Sequence, residues 1–176
     1  MKYISTRGQA NQLNFQDVLL SGLARDGGLY VPQQWPEISF NELESFVGLS
    51  YHEIAIRVMK PFVGNTFPED KFRSMVYDAY SEFEDVNVCP ISAIAEDHFL
   101  LELFHGPTMA FKDIAMQLIG QMFDYTQAKQ NSRVTIIAAT SGDTGSAAMS
   151  AFSRCDYADV FIFFPKGRIS EVQRRQ

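Results

Sequence analysis

Apolar positions follow a helical period through the first half of this chain and change character near Pro90. Residues 2–6 predict a short strand ending at a Gly8 turn. Asn14 stands as an N-cap before Phe15, Val18, Leu19 and Leu23 at helical spacing, and Gly27 with Gly28 predicts the stop. Leu29 to Val31 reads as a strand running into Pro32. Two Ser-x-x-Glu boxes, Ser39 with Glu42 and Ser50 with Glu53, open helices expected over about 40–47 and 51–63. Pro68 suits a first helical position, and the helix it predicts carries Phe72, Met75, Val76, Ala79, Tyr80 and Phe83 on its apolar side. Asp78, Glu82, Glu84 and Asp85 read as its solvated face. Residues 1–85 are thus expected to form a mostly helical subdomain.

Beyond Pro90 the runs become strand-like. Ile91 to Ala95 and Phe99 to Leu103 predict two strands joined at Glu96-Asp97, the second of them buried. Gly106-Pro107 breaks the chain, and a helix is expected from near Thr108 to about Lys129. Val134 to Ala139 reads as a buried strand, about 144–154 as a helix, and Val160 to Phe164 as another buried strand before a turn at Pro165-Lys166-Gly167. Strand, helix, strand, helix, strand is the pattern of a parallel sheet with covering helices, so the fold class is α/β. No G-x-G-x-x-G is present, so a dinucleotide site need not follow. Residues 169–176 read as a helix in its second turn, which predicts that the chain is the N-terminal part of a longer polypeptide. An incomplete sheet of this kind leaves an open edge and predicts possible self-association.

Composition narrows the function classes. Of 176 residues, 46% are apolar and 13% aromatic, enough for a packed core rather than disorder. A formal net charge of −6 with no basic stripe argues against a nucleic-acid partner. Cys89 and Cys155 lack metal-ligand spacing and read as free thiols in a reducing compartment. No stretch has signal-peptide or membrane-spanning character, so a cytoplasmic, membrane-free protein is expected.

Three stretches could carry chemistry. Lys112 follows Ala110 and Phe111 one turn into a predicted helix, where the positive helix end and apolar neighbours both disfavour an ammonium. A neutral lysine amine is what Schiff-base chemistry needs; a solvated surface lysine is the alternative. In the second stretch, Thr140-Ser141-Gly142-Asp143-Thr144-Gly145, a strand feeds a glycine-bracketed turn into a helix. That arrangement gathers backbone N–H groups into an anion cup, unless Ser141 or Asp143 merely caps the helix. In the third, Lys166, Gly167, Arg168 and Ser170 precede a helix and could engage a phosphate, or form an ordinary basic turn. His105 could orient a cofactor or be satisfied by backbone. His52 reads as a helix-surface or partly packed histidine and His98 as exposed. There is no nucleophile elbow with a Ser/His/Asp set and no zinc cluster.

The string from Phe104 to Asp113 resembles the cofactor-lysine segment of the threonine synthase family, pyridoxal-phosphate enzymes of the tryptophan-synthase-β fold type (fold type II). The stretches 3–8, 15–18 and 26–32 are also similar to the start of that family, and the likeness spans essentially the whole chain. It implies a pyridoxal 5'-phosphate cofactor, with Lys112 holding it as catalytic residue and Phe111 and Asp143 beside it. Residues 86–176 would begin a three-layer αβα cofactor domain. Thr140, Ser141, Gly142, Thr144 and Gly145 would bind the substrate carboxylate, and Lys166 and Arg168 would lie near its phosphate. The implied reaction converts O-phospho-L-homoserine and water to L-threonine and phosphate in threonine biosynthesis. Asp143, where many relatives carry Asn, favours this branch over cysteine synthases. The resemblance also implies that the cofactor-phosphate loop lies beyond Gln176, so little activity is expected of these residues alone. Another β- or γ-eliminating pyridoxal-phosphate lyase, or a short non-catalytic binding module, remains an alternative.

Overall fold

The computed structural model describes residues 1–175. The chain divides into two compact units, Met1–Ser74 and Met75–Gln176.

In the first unit, β1 (Tyr3–Ser5) pairs antiparallel with β2 (Tyr30–Pro32), Tyr3 opposite Pro32. Between them lies α1 (Phe15–Ser21), capped as the sequence predicts, with Asn14 Oδ1 accepting from Asp17 N at 2.9 Å. It ends earlier than expected, at Gly22, whose φ of 65° only glycine adopts freely; Leu23 and the Gly27-Gly28 pair lie beyond it. α2 (Phe40–Glu44) and α3 (Tyr51–Val63) begin at their predicted caps, Ser39 Oγ accepting from Glu42 N and Ser50 Oγ from Glu53 N. α4 (Glu69–Tyr80), which runs from the first unit into the second, starts one residue after Pro68, whose carbonyl accepts from Phe72 N, and Phe72 and Val76 are fully buried.

Asp26 organises the loops of this unit, a role its sequence context did not announce. Its carboxylate accepts from Gly28 N, Ser5 Oγ, Gln9 N and Ala10 N at 2.7–2.9 Å. Partial burial raises its pKa, and these four donors more than offset that, leaving it at about 2.

In the second unit, β3 (Ile91–Ala95) and β4 (His98–Leu101) form an antiparallel hairpin, Ile91 opposite Leu101. Two expectations are corrected here. β4 is exposed rather than buried, Phe99 and Leu101 standing more than half open to solvent. Nor does it join the parallel sheet: among the described residues it pairs with β3 alone, through a turn at Asp97, which sits at φ 60°.

α5 (Lys112–Gln130) ends at Asn131 in the left-handed conformation; it leads to β5 (Val134–Ala139), α6 (Asp143–Phe152) and β6 (Ala158–Phe163). β5 and β6 are parallel, Val134 opposite Ala158 through Ala139 opposite Phe163. The two strands alternate rather than being wholly buried: Val134, Ile136, Val160 and Ile162 face a core of Ala148, Ala151, Phe152 and Ala158, whereas Ile137, Phe161 and Phe163 are exposed. α5 and α6 approach closely at Gly120, where a Cβ would stand 2.8 Å from the Ala151 carbonyl oxygen. Cys155 lies at the same junction, its Sγ 3.5 Å from the Gly120 carbonyl oxygen, and burial, with Asp124 and Asp156 nearby, pushes the thiol up to about 12. The chain continues into α7 (Glu171–Arg175); Gln176, the last residue of the expected helix, lies outside the described residues.

Candidate active site

Lys112 is the first residue of α5, not a residue one turn inside it. The chain from Gly106 to Phe111 forms turns instead of the expected first helical turn, with Met109 held at φ 58°. Asp113, fully buried, fixes this turn: its Oδ2 accepts from Thr108 N at 2.8 Å and its Oδ1 from Thr108 Oγ1 at 2.7 Å. Gly106 packs so tightly on the Asp113 carboxylate that any side chain there would overlap it. Lys112 is half-buried, and its Nζ lies 4.3 Å from the centre of the Phe111 ring, within cation–π range. Phe111 itself is largely exposed.

The loop leaving β5 is built on glycine. Gly142 is the N-cap of α6 and no side chain caps the helix, which removes the reading of Ser141 or Asp143 as a mere cap. Thr140 Oγ1 lies 3.3 Å from Gly142 N, and Gly145 N donates to the Gly142 carbonyl at 2.9 Å. A Cβ on Gly145 would stand 2.7 Å from Thr140 Cγ2 and 2.9 Å from Ile162 Cγ2, so only glycine allows α6 to enter against the sheet here. Thr140, Gly142, Gly145 and Ser146 line a cleft of about 90 Å³ whose far wall is Ile169, Gln173 and Arg174. A second cleft is lined by Pro107, Thr108 and Met109 of the lysine turn together with Val172 and Arg175. α7 therefore borders both the glycine loop and the turn that presents Lys112.

Lys166 and Arg168 lie on the exposed turn before α7 and do not line the first cleft. His105 is satisfied by a side chain, not by backbone: Nε2 lies 2.6 Å from Glu102 Oε2. Glu102 also accepts from Ser92 Oγ, and hydrogen bonds from Ser92 and His105 hold its carboxyl below the ordinary range. His98 is exposed as expected, Nδ1 against the Glu96 carbonyl, and burial lowers the pKa of the partly packed His52. Sequence reasoning missed Gln173, for which the Ser170-x-x-Gln173 spacing of a capping box was a usable signal.

Residues 2–80 match the family described as Threonine synthase N terminus. Across all 176 residues the chain is 53% identical to threonine synthase of Pseudomonas aeruginosa. Its structure superposes on that of a PLP-bound threonine synthase from Brucella melitensis with a TM-score of 0.96 at 52% identity, over 99% of this chain. Over its whole length the chain matches the N-terminal portion of threonine synthases. Yeast threonine synthase also shares the fold, with a TM-score of 0.91 at 34% identity over 98% of the chain. The chain spans 38% of the length of the Pseudomonas and Brucella threonine synthases and 37% of the yeast one. Over that span the likeness places it at the N-terminal portion of the family, an α/β fold with a small parallel sheet.

Proposed function

We propose that this chain supplies the lysine and the substrate loop of a pyridoxal-phosphate-dependent threonine synthase, which converts O-phospho-L-homoserine and water to L-threonine and phosphate. The observation that carries the reading is the Lys112 turn. A buried carboxylate pins the preceding residues, and a half-buried amine projects over an aromatic ring. The donor set fits the cofactor: an amine in partly apolar surroundings forms a Schiff base with an aldehyde, and Thr140, Gly142 and Gly145 wall a small cleft at the first turn of α6.

When bound, pyridoxal phosphate supplies an electron sink for the negative charge that develops as substrate C–H bonds break. Lys112 Nζ would hold the cofactor, and its amine would carry protons to and from the substrate's α- and β-carbons. Phe111 flanks the amine and Asp143 would stand beside the cofactor. Thr140, Ser141, Gly142, Thr144 and Gly145 receive the substrate carboxylate, while Lys166 and Arg168, exposed and cationic, attract the leaving phosphate. In this reading residues 1–85 form the family's N-terminal subdomain and residues 86–176 begin its fold type II cofactor domain. No described helix is long and apolar enough to cross a membrane, which fits a cytoplasmic enzyme. The open edges of the β5–β6 pair favour self-association.

The test is titration of the full-length protein with pyridoxal phosphate, borohydride reduction and peptide mapping, beside Lys112→Ala. Label confined to Lys112 and lost in the variant supports the assignment; label spread over other lysines, or none, overturns it.

A further inference from the structure

α7 opens with a reciprocal cap. Ser170 Oγ accepts from Gln173 N at 3.1 Å, and Gln173 Oε1 accepts from Ser170 N at 3.1 Å. Such a box is served equally by Gln or Glu at its last position. Only Gln leaves an NH2 group over, and here that group approaches Asp143, Nε2 lying 3.4 Å from Oδ1. The approach requires glycine at 142, since a Cβ there would overlap the carboxamide. The same side chain walls the cleft opposite Thr140 and Ser146.

We propose that Gln173 is a positioning residue for Asp143, its carboxamide donating to Oδ1 and fixing the carboxylate at the first turn of α6. Two residue types are equivalent for the cap, and Asp143 distinguishes them: Glu at 173 would set one carboxylate against another. The consequence for catalysis rests on the proposed role of Asp143 beside the cofactor; the contact itself does not.

NMR of the full chain without cofactor separates the two duties of this side chain. Gln173→Glu is expected to move the Asp143 Cγ resonance while the Cα shifts of residues 171–175 stay helical. Ser170→Ala is expected to do the reverse, weakening the helical shifts and leaving Asp143 Cγ in place. Asp143→Ala should move the Gln173 carboxamide pair. If Asp143 Cγ is unmoved by Gln173→Glu, or moves as far in Ser170→Ala, the contact is a by-product of α7 packing and the proposal is overturned. Neither readout depends on pyridoxal phosphate, so failure here leaves the Lys112 assignment standing, and failure of Lys112 labelling leaves this contact standing.

Discussion

Asp113 decides how Lys112 is presented. It is fully buried, and both of its oxygens are committed to Thr108. Asp113→Ala removes both buried hydrogen bonds to Thr108, each worth about 1–3 kcal/mol. Urea denaturation should show this loss, and Asp113→Asn, which keeps an acceptor, should lose less. The same Asp113→Ala variant is expected to lower pyridoxal-phosphate labelling at Lys112. The lysine was legible in the sequence because its neighbours are distinctive. The acceptor role of Asp113 was not, since it depends on a turn in which Met109 takes a left-handed conformation. Nothing in a methionine announces that conformation. Gln173 escaped notice for a related reason, because its partner Asp143 lies 30 positions away in sequence.

At the level of elements, hydrophobic period and caps located most helices, and the caps at Asn14, Ser39 and Ser50 stand where their side chains predict. The errors fall where apolar runs are ambiguous. Phe99 to Leu103 has the composition of a buried strand, yet β4 lies open in a hairpin, because composition records that a strand can form and not what will cover it. The junction of α5 and α6 was also silent in the sequence: Gly120 sits inside a helix, where glycine is unfavourable, so that two backbones can meet. Gly120→Ala would gain helix propensity but force its methyl group into the Ala151 carbonyl. Overpacking of this kind costs about 1–3 kcal/mol, so the variant is expected to unfold at lower urea concentration despite the better helix former.

For the molecule as a whole, the α/β class was readable from the change of period near Pro90. The number of strands in the parallel sheet was not, because pairing is a long-range choice. Stability in acid follows from Asp26 in the Met1–Ser74 unit. Its folded pKa of about 2 lies below the ordinary carboxylate value of roughly 3.9 in an unfolded chain. Its contribution is therefore complete above about pH 4 and fades as pH falls toward 2. Acid titration followed by circular dichroism should show Asp26→Asn flattening the loss of stability across that window, with the variant less stable than the parent at neutral pH.

The parallel pair is clothed on one side only. α5 and α6 cover the face carrying Val134, Ile136, Val160 and Ile162, while Ile137, Phe161 and Phe163 meet solvent. Ile137 stands directly opposite Phe161 in the register, so these side chains form one contiguous apolar patch on the uncovered face rather than scattered exposed residues.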